Sequence, residues 1–206
     1  MEHDNIYCYE GTDVLINKYA IKDSSILNMF ERQITSSRRA ELEINPVEGP
    51  FDFNHLKTIH QRLFSDIYDW AGQIRRVNIA KSNLFCRYQF IDSMATNIFD
   101  SIKKDNFLKN LSKEQFVKKL SFYMGEINAL HPFREGNGRT QRTFFIQLSE
   151  KAGYCLSLTH ISGEKLLEAD IDAMKGHYEK LEQILMANIY SPQGGKCSSK
   201  CNKSLQ

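Results

Sequence analysis

Two runs of apolar residues at helical spacing meet at a bend, and this junction constrains the fold more than any other stretch of the chain. Phe116, Leu120, Tyr123, Ile127 and Leu130 recur every three or four residues, the spacing of one helical face. Ser112 followed by Gln115 reads as a capping box that starts this helix. Pro132 disfavours helical geometry at His131, so the chain turns there. A second run, with Phe144, Phe145, Leu148 and Ala152 as its apolar face, begins near Arg139, directly after Gly136-Asn137-Gly138. Two amphipathic helices joined by so short a bend are expected to pack into one core.

The rest of the chain follows the same rhythm. Leu56, Ile59, Leu63, Ile67 and Trp70 predict a helix from Asp52 that stops at Gly72. Weaker helical patterns cover about 24–44, 90–104 and 164–190. One stretch departs from it: QIRRVNIAKSNLFCRY alternates around Arg76-Val77-Asn78-Ile79 and resumes with Leu84 and Phe85, which reads as a short β-hairpin over about 74–86 with its tip near Ser82 and Asn83. From Ser191 the chain is polar, basic and glycine-containing, the composition of a disordered tail. A single domain over 1–190, followed by a tail over 191–206, accounts for the whole.

Composition narrows the function classes. The 206 residues are long enough to bury a sizeable core. A net charge of +2 is too small for a protein whose main partner is nucleic acid. No apolar run approaches the roughly 18–20 residues of a membrane span, and no secretory leader is evident at the start. Five scattered cysteines suggest reduced thiols and a cytoplasmic setting rather than a disulfide framework. Cys197 and Cys201 lack the companions of a zinc site.

The bend itself holds a histidine, a carboxylate, two glycines and three arginines within His131–Arg142. Glycines ahead of a helix let the backbone approach a ligand closely, and the free N–H groups of the first turn attract anions. Arg139 and Arg142 share one face of that turn. Two cations there oppose the helix dipole and each other, a penalty that a bound polyphosphate would remove. Glu135 can hold Mg2+, which takes one or two carboxylates plus phosphate oxygens. His131 can act as a general base near neutral pH. These are the parts of a phosphoryl- or nucleotidyl-transfer site. The Walker-type loop, the dinucleotide fingerprint and a zinc hydrolase site all fail on spacing.

HPFREGNGRTQR resembles the Fic family signature, H-x-F-x-[D/E]-G-N-G-R-x-x-R, at every specified position. The likeness extends over roughly 9–190, including GTDVLINKYAIKD and LKTIHQRLFSDIYDWAGQIR. It implies a compact all-α Fic-type domain with the 74–86 stretch as a β-hairpin flap over the active site. By resemblance, His131 would deprotonate a hydroxyl of a target protein and Phe133 would anchor the loop. Glu135 would bind Mg2+ bridging the α- and β-phosphates of ATP. Gly136, Asn137 and Gly138 would form the anion hole, with Asn137 also contacting phosphate. Arg139 would hold the phosphate chain and Arg142 the γ-phosphate. AMP would pass to the target with release of pyrophosphate. Val77, Asn78 and Ile79, on the flap edge, could dock an extended target segment by β-addition.

Many Fic proteins carry an inhibitory helix, [S/T]-x-x-x-E-[G/N], and no glutamate here fits that frame. The resemblance is therefore to the class in which a small separate antitoxin supplies the helix, often as one half of a toxin–antitoxin pair. Some members modify type II topoisomerases, which makes the ATPase subunit of gyrase or topoisomerase IV the expected target. A kinase or another nucleotide-based transferase, and a non-catalytic nucleotide-binding module, stay open as alternatives.

Overall fold

A computed structural model describes residues 6–80, 85–158 and 161–191. Among them are seven α-helices: α1 (Ser24–Ile44), α2 (Phe53–Phe64), α3 (Ile91–Lys104), α4 (Lys113–Leu130), α5 (Asn137–Ala152), α6 (Gly163–Ala173) and α7 (Glu179–Asn188). Two short strands, β1 (Cys155–Leu156) and β2 (Ile189–Tyr190), pair antiparallel. The all-α architecture is the one expected.

Local chemistry sets the helix starts. Asp23, Asp52 and Ser162 each accept a backbone N–H of the first turn they precede, satisfying a donor that has no intrahelical partner. At α4 the Ser112–Gln115 capping box forms in both directions. The α4–α5 bend is built differently. His131 ends α4 in the left-handed region at φ +45, and Gly136 opens α5 at φ +79 without a side-chain cap.

α4 is the central element, packed against α3, α5, α6 and α7, while α2 lies along α5 and α1 covers α2. Leu56, Ile59 and Phe64 of α2, Phe116 and Leu120 of α4, and Phe144, Phe145 and Leu148 of α5 are almost wholly removed from water. No helix among the described residues is long and apolar enough to cross a membrane.

Several boundaries differ from the pattern-based expectation. α2 stops at Phe64 rather than running to Trp70. The N–H groups of Ile67 and Tyr68 both turn back to the Phe64 carbonyl, and the carbonyls of Ser65 and Ile67 accept hydrogen bonds from Lys18. Tertiary bonds thus divert the carbonyls a longer helix would need, while Ile67 still reaches the core. The 164–190 pattern is two helices, split at Gly176 with φ +85, and its last residues form β2. α5 begins at Asn137, two residues before the expected start. Cys86 is a free thiol, whereas Cys155 is disulfide-bonded, so uniformly reduced cysteines do not describe this chain. All but Ser191 of the tail expected over 191–206, and the flap tip at Ser82 and Asn83, lie outside the described residues.

Candidate active site

The bend between α4 and α5 is held shut from inside. Asn137 accepts the Phe133 N–H at 2.9 Å and returns its own amide N–H to the Phe133 carbonyl at 2.8 Å. Both ends of the Asn137 side chain are thereby committed to the loop, and its buried position makes it a staple. Phe133 is sunk in the core, its ring stacked on His60 at 3.9 Å.

His60 supports this loop from below. Its Nδ1 accepts the Gly72 N–H at 2.7 Å, which leaves Nε2–H to donate to the Glu135 carbonyl at 3.0 Å. His55 and His60 are both buried. His55 pairs with Gln147. Burial pushes the His60 pKa down to about 3, so this imidazole is neutral in the folded protein.

A stability consequence follows. The unfolded chain takes up a proton on His60 below its ordinary value of about 6.5, while the folded chain refuses it down to about 3. The folded pKa is depressed, so stability is intact above pH 6.5 and falls as pH drops through that window, by at most about 1.4 kcal/mol per pH unit. Urea midpoints of wild type and His60→Phe between pH 7 and pH 4 check it. The variant keeps an aromatic stack and should lose one proton's worth of acid sensitivity; an unchanged slope would show that His60 titrates normally.

Beside the loop lies a polar cleft of about 470 Å³ lined by Glu135, Arg139, Arg142 and Arg134 on one side and by Glu31 and Arg32 of α1 on the other. Arg134, at an unspecified position of the motif, is part of this lining. The Glu135 carboxylate accepts the Gly136 N–H at 2.8 Å and is 37% exposed. The first-turn N–H groups of Asn137, Gly138 and Arg139 enter none of the backbone hydrogen bonds seen outside helices among the described residues, as an anion-binding helix start requires.

The two arginines are in different states. Arg139 is paired with Glu31 of α1, Nη2 to Oε1 at 2.5 Å, and lies 3.4 Å from Glu135. The other Glu31 oxygen accepts the Tyr68 hydroxyl at 2.5 Å. Burial, followed by the Glu31 charge, pushes the Tyr68 ionisation far up, so the phenol stays a donor. Part of the charge penalty expected in the first turn of α5 is therefore compensated from within the chain, through Glu31. Arg142 has no ion pair of its own among the described residues, and burial pushes its pKa down. Its electrostatic neighbour Asp170 is pushed up to about 7 by burial.

His131 sits at the end of α4 with its ring stacked on Phe85 at 3.7 Å. Phe85 belongs to the 74–86 stretch, where the Phe85 N–H returns to the Ile79 carbonyl at 3.4 Å. Among the described residues of this stretch no strand forms, and Ala80 alone is a bridge residue. Asn78 is exposed and its Oδ1 accepts the Tyr88 N–H, while Val77 and Ile79 are half-buried. The stretch is anchored by Arg75, whose guanidinium donates to the carbonyls of His131 at 2.8 Å, Val77 at 2.7 Å and Cys86.

Arg75, Glu31, Tyr68 and His60 are the contributors that sequence reasoning missed. Glu31 does leave a trace, because it interrupts the buried face of α1 formed by Leu27, Thr35 and Leu42.

A family model described as the Fic/DOC family matches residues 50–149. The chain is 39% identical over 171 residues to a Sinorhizobium fredii protein named "Probable protein adenylyltransferase y4lH", covering 82% of this chain and 88% of that one. It is 36% identical over 190 residues to the Escherichia coli "Probable protein adenylyltransferase Fic", covering 91% and 93%. Protein adenylyltransferase VbhT of Bartonella schoenbuchensis is 37% identical over 184 residues, 89% of this chain, which spans only 38% of VbhT. Among solved structures, the N-terminal Fic domain of a Bartonella quintana VirB-translocated Bep effector with bound ADP superposes with a TM-score of 0.87 at 26% identity, covering 91% and 96%.

Proposed function

Because the chain belongs to the Fic/DOC family, we propose that it transfers AMP from ATP to a hydroxyl side chain of a target protein. The observation that carries this reading is the stapled bend. It brings a histidine, an exposed carboxylate, an open helix N-terminus and an uncommitted arginine into adjacent positions.

His131 takes the proton from the target hydroxyl. The hydroxyl oxygen then forms a bond to the α-phosphorus as the bond from that phosphorus to the bridging oxygen breaks, and pyrophosphate leaves. The N–H groups at the start of α5 hold the phosphate chain, and Arg142 takes its far end. Gly136 lets the bend close over Phe64, and Gly138 leaves room for the Arg142 guanidinium beside the helix start. Glu135 suits Mg2+: it is a single, partly exposed carboxylate, and the described residues hold no cluster of three His, Cys, Asp or Glu that would favour another metal. Mg2+ supplies charge neutralisation at the phosphate oxygens when bound. Val77, Asn78 and Ile79 are the proposed edge for an extended target segment.

The uncommitted Arg142, together with the lack of an inhibitory glutamate frame, supports control by a separate antitoxin that supplies the [S/T]-x-x-x-E-[G/N] helix. This would make the chain the toxin of such a pair, acting in the cytoplasm. The ATPase subunits of gyrase and topoisomerase IV are the first targets to test.

The decisive measurement incubates wild type and His131→Ala with α-labelled and, separately, γ-labelled ATP in cell lysate. A His131-dependent protein band labelled only from the α-position is expected. Label only from the γ-position would replace the reading with a kinase, and equal labelling by His131→Ala would remove His131 from the chemistry.

A further inference from the structure

The ion pair between Glu31 and Arg139 has a geometry that the transfer reaction does not itself explain. Arg139 stands between two carboxylates, one from the loop that precedes α5 and one from α1. The α1 carboxylate wins: Glu31 is 2.5 Å from the guanidinium, and its side chain is 8% exposed, whereas Glu135 is 3.4 Å away and 37% exposed. Two further contacts fix this choice. Tyr68 donates to the free oxygen of Glu31, so the carboxylate cannot rotate without losing that bond. Thr35, one turn along α1, accepts the other terminal nitrogen of Arg139 at 3.3 Å. The guanidinium also lies over the Phe64 ring, 4.8 Å from its centre, a favourable placement for a cation.

We infer that Glu31 is a positioning residue that draws Arg139 away from Glu135 and so leaves the Glu135 carboxylate available to a divalent cation. Arg139 has an alternative partner in Glu135, in the loop just before α5, whose carboxylate is already 3.4 Å away. Removing the Glu31 charge lets the guanidinium close the gap to Glu135. The long 3.4 Å hydrogen bond that Arg139 now makes to Glu135 then shortens, and the metal must displace a stronger charge-assisted bond before it can bind. The inference rests on the reading of Glu135 as the Mg2+ ligand.

The test measures binding of a non-hydrolysable ATP analogue by calorimetry, with and without Mg2+ and with no target present, for wild type, Glu31→Gln and Glu31→Asp. Wild type should bind the analogue more tightly with Mg2+. In Glu31→Gln that enhancement should shrink about tenfold, the value of one charge-assisted hydrogen bond, and Glu31→Asp should recover part of it. An enhancement in Glu31→Gln equal to wild type overturns the inference, and a loss of thermal stability alone would then assign Glu31 to packing. Absence of any Mg2+ enhancement in wild type overturns the metal reading of Glu135, and this inference with it.

Discussion

Alanine at position 136 is expected to abolish AMP transfer and to destabilise the protein by about 2–5 kcal/mol. Gly136 sits at φ +79, and a Cβ there would lie 2.2 Å from Cζ of Phe64. The left-handed backbone alone costs an L-residue about 1–2 kcal/mol. Phe64 cannot yield, because it is fully buried between α2 and the bend, and forcing atoms into a packed core adds about 1–3 kcal/mol. Against a typical stability of about 5–15 kcal/mol, the bend would open or the fold would fail. Denaturant midpoints of Gly136→Ala in wild-type and Phe64→Leu backgrounds separate the two contributions. Leucine removes the clashing atom, so the second background should leave only the backbone cost of about 1–2 kcal/mol. The same loss in both backgrounds would mean that Phe64 is not the obstacle. Gly138 makes the contrast: a Cβ there meets only the guanidinium of Arg142, Nη1 at 3.1 Å, the far end of a flexible side chain, so alanine displaces the proposed γ-phosphate ligand rather than the fold.

This difference between two glycines in one motif marks how far the sequence can be read. The residue types in His131–Arg142 point to an anion site because packing alone does not call for so much charge in one turn. The spacing cannot say that Gly136 is bare for Phe64 while Gly138 is bare for Arg142, since each obstacle comes from elsewhere. Helices with strong caps, such as α4 after Ser112, are legible to the residue. α2 is not, because Lys18, far away in sequence, captures the carbonyls that would have continued it. His60 is hidden for a similar reason: its position matches a core stripe that includes Leu56, Ile59 and Leu63, and only the fold places Gly72 and Glu135 at its two nitrogens. Glu31 could have been found, as a carboxylate in a buried helical stripe needs a partner. Its partner, Arg139, is 108 residues away.

Arg75 is the residue whose loss should reach both the fold and the flap. Adjacent arginines at 75 and 76 look equivalent in sequence, yet Arg76 is exposed and Arg75 is 1% exposed. No carboxylate offsets its charge among the described residues. Burial lowers its pKa, though a guanidinium stays protonated in a protein, and its donors are spent on carbonyls of His131, Val77, Cys86 and, at 3.5 Å, Leu130. Two of these end α4, where the helix dipole favours a cation; the other two flank the hairpin. Backbone bonds run alongside, from the Arg75 N–H to Pro132 and from the Cys86 N–H to Ala129. Arg75→Met keeps much of the volume and strands the carbonyls, each at about 1–3 kcal/mol if it finds no water. A net loss of about 3–5 kcal/mol is expected on that scale. Faster hydrogen exchange at the Cys86 amide should accompany it, together with a fall in the turnover that depends on His131. Arg75→Lys retains the charge but not the planar fork, and should fall between. Should Arg75→Met leave the denaturant midpoint and the Cys86 exchange rate unchanged, the buried guanidinium would be a passenger. The flap would then be held to His131 by its backbone bonds and the Phe85 stack alone.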